Sequence, residues 1–273
     1  MRIISRCFMA ILVVAFSCSL SLAADHELAQ KSTLNTILKR GELRIGLDAG
    51  YMPFEMTDKK GDIVGFDVDI AKEMAKAMGV KLVVVNTDFD GIIPALMADK
   101  FDIIISGMTI NQERNLQINF AQPYMVAGQA ILLHKKHEGK ITSYKDLNDP
   151  KYTVVSRIGT TGEQATKRLI SKAQYKSFEK EADGAMEVLN GQGDAFVYDL
   201  PFCAVFMAQQ GGQKLVLLDE VFTYEPLGFG IKKGDPDFLN WLDNFLIQIK
   251  ADGRYDRIYD KWIKGTDWLQ EIQ

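Results

Sequence analysis

Residues 65–85 read GFDVDIAKEMAKAMGVKLVVV and combine a helix pattern with a strand pattern. Apolar residues recur at helical spacing from Asp67 to Met78, and Gly79 follows as a stop signal. The next segment, Lys81–Val85, is a short apolar run of β-branched residues, which is typical of a strand covered on both faces. This stretch predicts one helix–strand unit of an α/β protein.

The same alternation continues along the chain. Further strands are predicted at Glu42–Leu47, Phe101–Ser106, Ala130–His134, Tyr152–Ser156, Ala195–Tyr198 and Phe229–Lys232. Further helices are predicted at Asp90–Ala98, Gly162–Lys172, Gly184–Asn190, Pro201–Gln209, Asp237–Ala251 and Tyr255–Ile263. The pattern predicts an α/β fold with mostly parallel sheets. No Pro-, Gly- or Ser-rich linker divides the chain, so any two domains must be joined by short, ordered segments.

The composition excludes several classes of protein. The chain has 273 residues, with 32 Lys and Arg against 36 Asp and Glu, and 47% of its residues are hydrophobic. It is too apolar and too evenly charged for a disordered chain, a collagen or a coiled coil. The net charge of −4 offers no basic surface for nucleic acid, so we expect no nucleic-acid partner.

The N-terminus has the pattern of a secretory signal. Arg2 and Arg6 precede the apolar run Cys7–Cys18, and small residues stand at the two inspected positions before a cleavage point near Ala23. The apolar run is about half of the ~20 residues that a spanning helix needs. We therefore expect residues 1–23 to be removed on export to the periplasm. The alternative, lipid attachment at Cys18, is less favoured because Phe16 is a poor residue in the preceding context.

The sequence offers no clear catalytic, metal or cofactor site. Cys203 is the one cysteine left after the signal, and its apolar neighbours predict a buried, inert thiol. His134 and His137 flank two lysines at a strand end, and no third ligand stands at a recognisable metal-site spacing.

Polar and aromatic residues gather where the predicted strands end. Ligands of open α/β sheets bind at the carboxyl ends of strands, so these residues form the candidate site: Asp48, Tyr51, Phe89, Ser106, Gly107, Thr109, Arg114, Arg157, Thr161 and Asp199. Each also has a simpler interpretation. Tyr51 and Phe89 would suit a core, Arg114 a surface ion pair, and Asp199 a helix cap.

The chemistry of the set converges on a free amino acid. Arg114 suits a carboxylate held by two hydrogen bonds, and the helix start at residues 159–162 suits the same group. Asp199 can neutralise an ammonium. Tyr51 and Phe89 could sandwich the apolar stem, which leaves Asp48 and Arg157 to contact the tip of the side chain.

At these positions the sequence resembles the amino-acid-binding family of bacterial solute-binding proteins, which deliver ligands to ABC importers. The resemblance covers roughly residues 40–265. Its most specific stretches are 65–71 (GFDVDIA), 106–114 (SGMTINQER), 119–124 (NFAQPY) and 159–161 (GTT).

The resemblance implies a two-lobe periplasmic-binding-protein fold that closes on its ligand. Lobe 1 would comprise 41–125 plus 226–273, and lobe 2 would comprise 129–220. Two hinge strands would cross near 125–128 and 221–225. The expected partners are a free amino acid and the permease subunits of an ABC transporter, and the family's habit is a monomer.

The resemblance also implies roles for the site residues. Arg114 would clamp the ligand carboxylate with help from Thr109 and Thr161, and Asp199 would bind the α-ammonium. The Gly65–Asp69 motif would be structural, with Asp67 starting a helix, and would lie outside the site.

Asp48 and Arg157 would decide which side chain is accepted. Together they offer an acceptor and a donor, which match the amide of glutamine without adding charge. Glutamine is therefore the favoured ligand. If Arg157 instead pairs with Asp48 or Glu163, Asp48 would favour Arg, Lys or His. Glutamate would suit Arg157 but be repelled by Asp48.

Two other functions remain open. A few relatives of this fold are exported dehydratases, which carry a further acid shortly after the position of Asp199. Here Leu200, Pro201 and Phe202 follow, so catalysis is not expected. The protein could also present its ligand to a separate receptor as a sensor component.

Overall fold

The computed structural model describes residues 32–272. In chain order its strands are β1 (Glu42–Leu47), β2 (Met56–Thr57), β3 (Ile63–Val64), β4 (Lys81–Asn86), β5 (Ile103–Ile104), β6 (Asn119–Phe120), β7 (Met125–Ala127), β8 (Gln129–His134), β9 (Thr153–Arg157), β10 (Gln174–Phe178), β11 (Ala195–Asp199), β12 (Leu215–Leu218), β13 (Glu225–Leu227) and β14 (Gly230–Ile231). The predicted signal at residues 1–23 and Cys18 lie outside the described residues.

Its α-helices are α1 (Thr33–Arg40), α2 (Phe66–Met78), α3 (Ile92–Met97), α4 (Gln112–Asn115), α5 (Thr161–Leu169), α6 (Glu181–Leu189), α7 (Leu200–Phe206), α8 (Pro236–Ala251) and α9 (Arg254–Tyr259). Shorter helical turns occupy Phe89–Gly91, Lys135–His137, Met207–Gly211, Asp260–Lys264 and Asp267–Gln270. Within residues 32–272, no helix has the length and apolar character needed to cross a membrane.

Two five-stranded sheets form the framework. The first has the order β4-β1-β5-β14-β6 and the second the order β10-β9-β11-β8-β12. In the first, β1 is parallel to β4 and β5, whereas β14 is antiparallel to its neighbours. In the second, β9 is parallel to β10 and β11, whereas β8 is antiparallel to β11 and β12. Each sheet is thus mixed, with a parallel group and strands that return.

A pair of short strands links the two sheets. β7 follows the first sheet and leads into β8 of the second, and β13 leads back to β14 of the first. β7 and β13 pair antiparallel, with Glu225 opposite Ala127. The structure is therefore a two-lobe α/β fold with two connecting strands, which confirms the predicted fold class.

Several elements differ from the sequence prediction. The predicted strand Phe101–Ser106 is reduced to β5, and α2 begins at Phe66, one residue before the predicted start. α1, β10 and β12 were not predicted. β10 reads QYKSF and lies at a sheet edge with most of its side chains exposed or half-buried, so it lacks the apolar run of a central strand. α1 is short: Leu34, Ile37 and Leu38 stand at helical spacing, but only Ile37 is buried.

Candidate ligand-binding site

One cavity lies where β1, β5, β9 and β11 end at the face between the two sheets. All ten residues predicted from the sequence line it: Asp48, Tyr51, Phe89, Ser106, Gly107, Thr109, Arg114, Arg157, Thr161 and Asp199. Gln129, Thr160 and Tyr198 complete the lining. The fold thus brings together polar residues from different strand ends that are up to 151 positions apart in the chain, from Asp48 to Asp199.

The cavity is narrow. Its volume is about 10 Å³, which is room for about one water molecule. Its polar side chains are hydrogen-bonded to one another across the two lobes. A ligand larger than a water molecule would fit only if the lobes moved apart and some of these internal pairs opened.

Arg114 is held rigidly at one end of the cavity. The Asn111 side chain caps α4 by accepting a hydrogen bond from the Arg114 backbone N–H at 2.8 Å. The guanidinium donates to the Thr109 carbonyl at 2.9 Å and, across the lobes, to the Gly159 carbonyl at 3.2 Å. Arg114 is 7% exposed, so it is not the surface ion pair of the simpler interpretation. Burial lowers its pKa, while Glu225 and Asp199 oppose the shift.

Asp199 lies at the end of β11 and faces the other lobe. Its carboxyl accepts hydrogen bonds from the Tyr51 hydroxyl and from Gln129 Nε2, rather than capping the following helix. Burial raises the pKa of Asp199 to about 7; the Tyr51 hydrogen bond opposes the rise, and Glu225 adds to it. An ammonium placed here would find a desolvated acceptor whose ionisation it would favour.

Phe89 separates the two arginines of the cavity. The guanidinium carbons of Arg114 and Arg157 lie 5.3 and 5.5 Å from the centre of its ring. Both distances are within the range of cation–π attraction. Phe89 is therefore an aromatic wall whose face is already engaged by positive charge.

Tyr51 also lines the cavity, packed between apolar and polar groups. Its ring centre lies 4.7 Å from that of Phe54, with the two planes tilted by 32°, and meets Tyr198 edge-on at 5.6 Å. Gly107 lies against the same ring: a Cβ added to Gly107 would stand 2.2 Å from Tyr51 Cε1. Tyr51 is thus both part of the core and the floor of the cavity.

The start of α5 supplies hydroxyl groups from the second lobe. Thr160 caps the helix by accepting from the Glu163 N–H at 3.3 Å and donates to the Arg157 carbonyl at 2.7 Å. Thr161 Oγ1 lies 3.4 Å from Thr109 Oγ1 of the other lobe and accepts from Gln129 Nε2 at 3.3 Å. These groups, with the free N–H groups of the helix start, suit an anion beside Arg114.

Arg157 lies within the cavity and bridges two carboxylates. Its guanidinium pairs with Asp48 from the first lobe and with Glu181 at 2.6 Å from its own lobe. All three side chains are at most 4% exposed. Burial lowers the pKa of Arg157, but Tyr198, Glu181 and Asp48 raise it above its ordinary value overall. Two buried acids therefore share one cation at this end of the cavity.

Sequence reasoning missed Glu181. It lies 2.7 Å from the position that a Cβ on Gly50 would take, so the absence of a side chain at Gly50 leaves room for its carboxylate. Burial raises the pKa of Glu181, and Arg157 opposes this rise. Glu181 begins α6 soon after the end of β10, so a prediction of that edge strand would have placed it with the other strand-end residues.

A lysine closes the rim above this cluster. Lys180 Nζ of the second lobe lies 2.9 Å from Asp88 and 3.5 Å from Asp48 of the first lobe. Lys180 and Asp88 are 45% and 79% exposed, which makes the pair a solvent-accessible link across the cleft.

Comparison with known proteins identifies the family. Residues 43–265 match the model of the bacterial extracellular solute-binding proteins, family 3. The chain belongs to this family. Within residues 32–272, no group of three or more His, Cys, Asp or Glu residues could hold a metal ion.

Three similar proteins show the range of the family. A solved structure from Wolinella succinogenes, a binding component of an ABC transporter complexed with lysine, is 59% identical, covers 85% of this chain and all of its own, and has a TM-score of 0.83. The glutamine-binding protein of a Bacillus subtilis ABC transporter is 31% identical over 94% of both chains. A cyclohexadienyl dehydratase from Pseudomonas aeruginosa is 31% identical over 93% of this chain and 94% of its own.

Proposed function

We propose that this protein binds a cationic amino acid, lysine or arginine, and delivers it to an ABC importer. The observation that carries this choice is that Asp48 and Glu181 are both buried and paired with the single guanidinium of Arg157. The contacts of Arg114 and Asp199 at the other end of the cavity support a common binding site for the α-carboxylate and the α-ammonium.

The amino-acid backbone would lie between Arg114 and Asp199. Arg114 would hold the carboxylate together with Thr109, Thr161 and the start of α5. Asp199 would bind the ammonium in place of its present bonds to Tyr51 and Gln129. These two ion pairs balance the charges of the ligand's zwitterion, so they favour every amino acid alike.

The charge balance at the side-chain end favours a cation. Asp48 and Glu181 supply two buried carboxylates against the one buried guanidinium of Arg157. Lys180 is half-exposed at the rim, where it lies closer to Asp88 (2.9 Å) than to Asp48 (3.5 Å). A buried uncompensated charge is costly. A lysine or arginine side chain would compensate the excess, whereas the neutral amide of glutamine would leave it. The lysine complex of the Wolinella succinogenes protein supports the same choice.

Glutamine is the second candidate. Asp48 and Arg157 still present an acceptor and a donor side by side, and the Bacillus subtilis relative is a glutamine-binding protein. Glutamine would have to insert its amide between the two, opening a buried ion pair without replacing the lost charge interaction.

Binding would proceed by closure of two lobes, which we place at 41–125 plus 226–273 and at 129–220, with hinges near 125–128 and 221–225. Ligand would favour the closed form by its contacts to both lobes. We further propose that the protein acts in the periplasm, as a monomer, after removal of its signal near Ala23, and that the permease recognises the closed form.

A catalytic role is less well supported by the geometry, although the family includes a dehydratase. A general acid must be free to give its proton to the substrate. The acids at the side-chain end are both engaged with Arg157. Incubation of the protein with the substrate of the cyclohexadienyl dehydratase tests this: we expect no turnover, and product formation would contradict a purely binding role.

The ligand choice is tested by Glu181→Gln, which removes one negative charge and keeps the shape. We expect affinity for arginine and lysine to fall about tenfold or more, as for one lost charge pair in a buried site, while affinity for glutamine is unchanged or improved. Glu187→Gln on the same helix, whose carboxylate pairs with the exposed Lys176, is the control. Equal weakening of glutamine and arginine by Glu181→Gln would contradict the proposal.

A further inference from the structure

A pair of acids lies behind the cavity and takes no part in its lining. Glu55 precedes β2 and Asp67 lies in the first turn of α2, and both side chains are 0% exposed. The Asp67 carboxyl does not serve the start of its own helix. It accepts hydrogen bonds from the Gly107 N–H at 2.7 Å and from the Tyr124 hydroxyl at 3.0 Å.

Glu55 accepts a hydrogen bond from Ser106, the residue before Gly107. Its Oε1 accepts a hydrogen bond from Ser106 Oγ at 2.6 Å. Ser106 Oγ in turn accepts from the Asp48 backbone N–H at 3.1 Å. The two acids therefore hold the adjacent residues Ser106 and Gly107 from behind.

One oxygen of each acid is left over. Glu55 Oε2 and Asp67 Oδ1 are buried and have no hydrogen-bond partner among the described residues. The two carboxyl groups are near enough for each to shift the pKa of the other. Two ionised carboxylates cannot satisfy one another, because neither has a hydrogen to donate. A single proton between them would satisfy both oxygens and remove one of two buried negative charges.

The electrostatics agree with a retained proton. Burial and the nearby Asp67 raise the pKa of Glu55 well above its ordinary value. Burial raises the pKa of Asp67 to about 7, against hydrogen bonds from Gly107, Tyr124 and Glu55. The titratable groups that face the pair are Asp48, Glu181, Tyr124 and Tyr255. None of these is a cation, so none favours a second negative charge.

We propose that Glu55 and Asp67 share a proton and act as positioning residues for the ligand site, by holding the Ser106–Gly107 turn against Asp48 and Tyr51. The inference rests on the amino-acid binding proposed above. Gly107 lies against the Tyr51 ring, and Ser106 fixes the backbone of Asp48. A shift of the Ser106–Gly107 turn would therefore displace both Asp48, which we propose contacts the ligand's side chain, and Tyr51, which lines the cavity.

The proposal predicts a loss of ligand affinity at alkaline pH. When the shared proton is lost, two buried negative charges repel each other and the turn loses its fixed anchor. Affinity for arginine should then fall by up to about tenfold for each pH unit above the second ionisation. The amino group of the ligand also titrates in this range, so the informative quantity is the ratio of wild-type affinity to that of a variant that cannot ionise.

The test uses the purified protein and two measurements. Infrared spectroscopy of the wild type should show the carbonyl band of a protonated carboxylic acid at neutral pH, and the difference spectrum against Glu55→Gln should contain this band. Any contribution from Asp199, whose pKa is also raised to about 7, is common to both proteins and cancels in the difference. Calorimetric titration of arginine should give the variant and the wild type similar affinity at neutral pH, with the wild type falling behind as the pH rises. Glu187→Gln should follow the wild type in both measurements.

The outcomes separate this inference from the proposed function. Absence of the infrared band from the wild type would overturn the shared proton whatever the ligand does, and needs no folded variant. A constant ratio of affinities across the pH range would overturn the positioning role. If Glu55→Gln does not fold, Asp67→Asn takes its place in the same comparison. If no amino acid binds, the proposed function and the positioning role both fail, and the band alone decides whether the proton is shared.

Discussion

At Gly107 the backbone and a cavity residue meet without room for a side chain. The residue has φ +50°, a conformation that costs a residue with a Cβ about 1–2 kcal/mol, and an added Cβ would also strike the Tyr51 ring at 2.2 Å. We predict that Gly107→Ala lowers the free energy of unfolding by more than this backbone cost and weakens all amino-acid ligands, as measured by denaturant unfolding and calorimetry.

The control for this prediction is Gly61→Ala. Gly61 also has positive φ, at +88°, but nothing lies within 4 Å of an added Cβ. It should therefore show the backbone cost alone, with unchanged ligand affinity. Equal effects of the two substitutions on stability and binding would show that the contact with Tyr51 has no functional consequence.

If Asp199 binds the ligand's ammonium as proposed, ligand binding should depend on pH on the acidic side. Its pKa in the ligand-free protein is raised from 3.8 to about 7, so its contribution to folding stability is lost as the pH rises through that range. The proposed contact with the ligand's ammonium needs the ionised form of Asp199. We predict that affinity falls as the pH drops below 7, by up to about tenfold per unit, with proton release on binding.

Calorimetry in two buffers of different ionisation enthalpy measures that proton release. Asp199→Asn should bind more weakly at neutral pH and show little change of affinity between neutral and mildly acidic pH. An affinity of the wild type that is independent of pH in this range would exclude Asp199 as the ammonium reader.

The residue scale also shows what the sequence could and could not reveal. Strand-end polar residues were predictable because central strands have continuous apolar runs, and all ten predicted positions line the cavity. Glu181 was not, because it follows an edge strand with a polar pattern. Gln129 was not predictable in this way, because β8 runs antiparallel to β11 and β12. The start of β8, where Gln129 lies, is therefore beside the carboxyl end of β11, whereas the predicted residues follow the ends of their strands.

At the scale of elements, the start of α6 carries both a buried and an exposed charge. Glu181 points into the cluster with Arg157, and Lys180 reaches across the cleft to Asp88.

The ends of the helices follow ordinary stop signals: Gly41 and Gly79 end α1 and α2 in the left-handed conformation. Such signals made the central helices predictable, whereas the short strands β6 and β7 depend on partners about a hundred residues away, in β14 and β13.

The Lys180–Asp88 link should help to hold the cleft closed. We predict that Lys180→Ala weakens ligand binding about two- to five-fold, as expected for an exposed ion pair, mainly through faster dissociation. The difference from the wild type should shrink at high salt because exposed charges are screened. Stopped-flow dissociation kinetics measure both effects.

Lys176→Ala is the matched control, since Lys176 is similarly exposed but pairs with Glu187 within the second lobe. It should leave dissociation unchanged. If the two variants dissociate at the same rate at low salt, the cross-cleft link does not stabilise the closed form.

At the scale of the whole molecule, the two lobes are joined by more than their hinge strands. Contacts across the cleft include Tyr51 with Asp199, Arg114 with Gly159 and Arg157 with Asp48. A ligand must replace these contacts with its own, and only groups of matching charge can do so without leaving a buried ion unpaired. On the proposed function, specificity therefore depends on charge rather than on the size of the cavity.

The most direct test compares arginine with citrulline, which has nearly the same shape but no side-chain charge. Both are titrated calorimetrically into protein that has been unfolded and refolded to remove any carried-over ligand. We predict that arginine binds at least about thirtyfold more tightly, as for a buried charge-assisted contact of roughly 2–5 kcal/mol. Equal affinity for the two would contradict the assignment of Asp48 and Glu181 as readers of a cationic side chain.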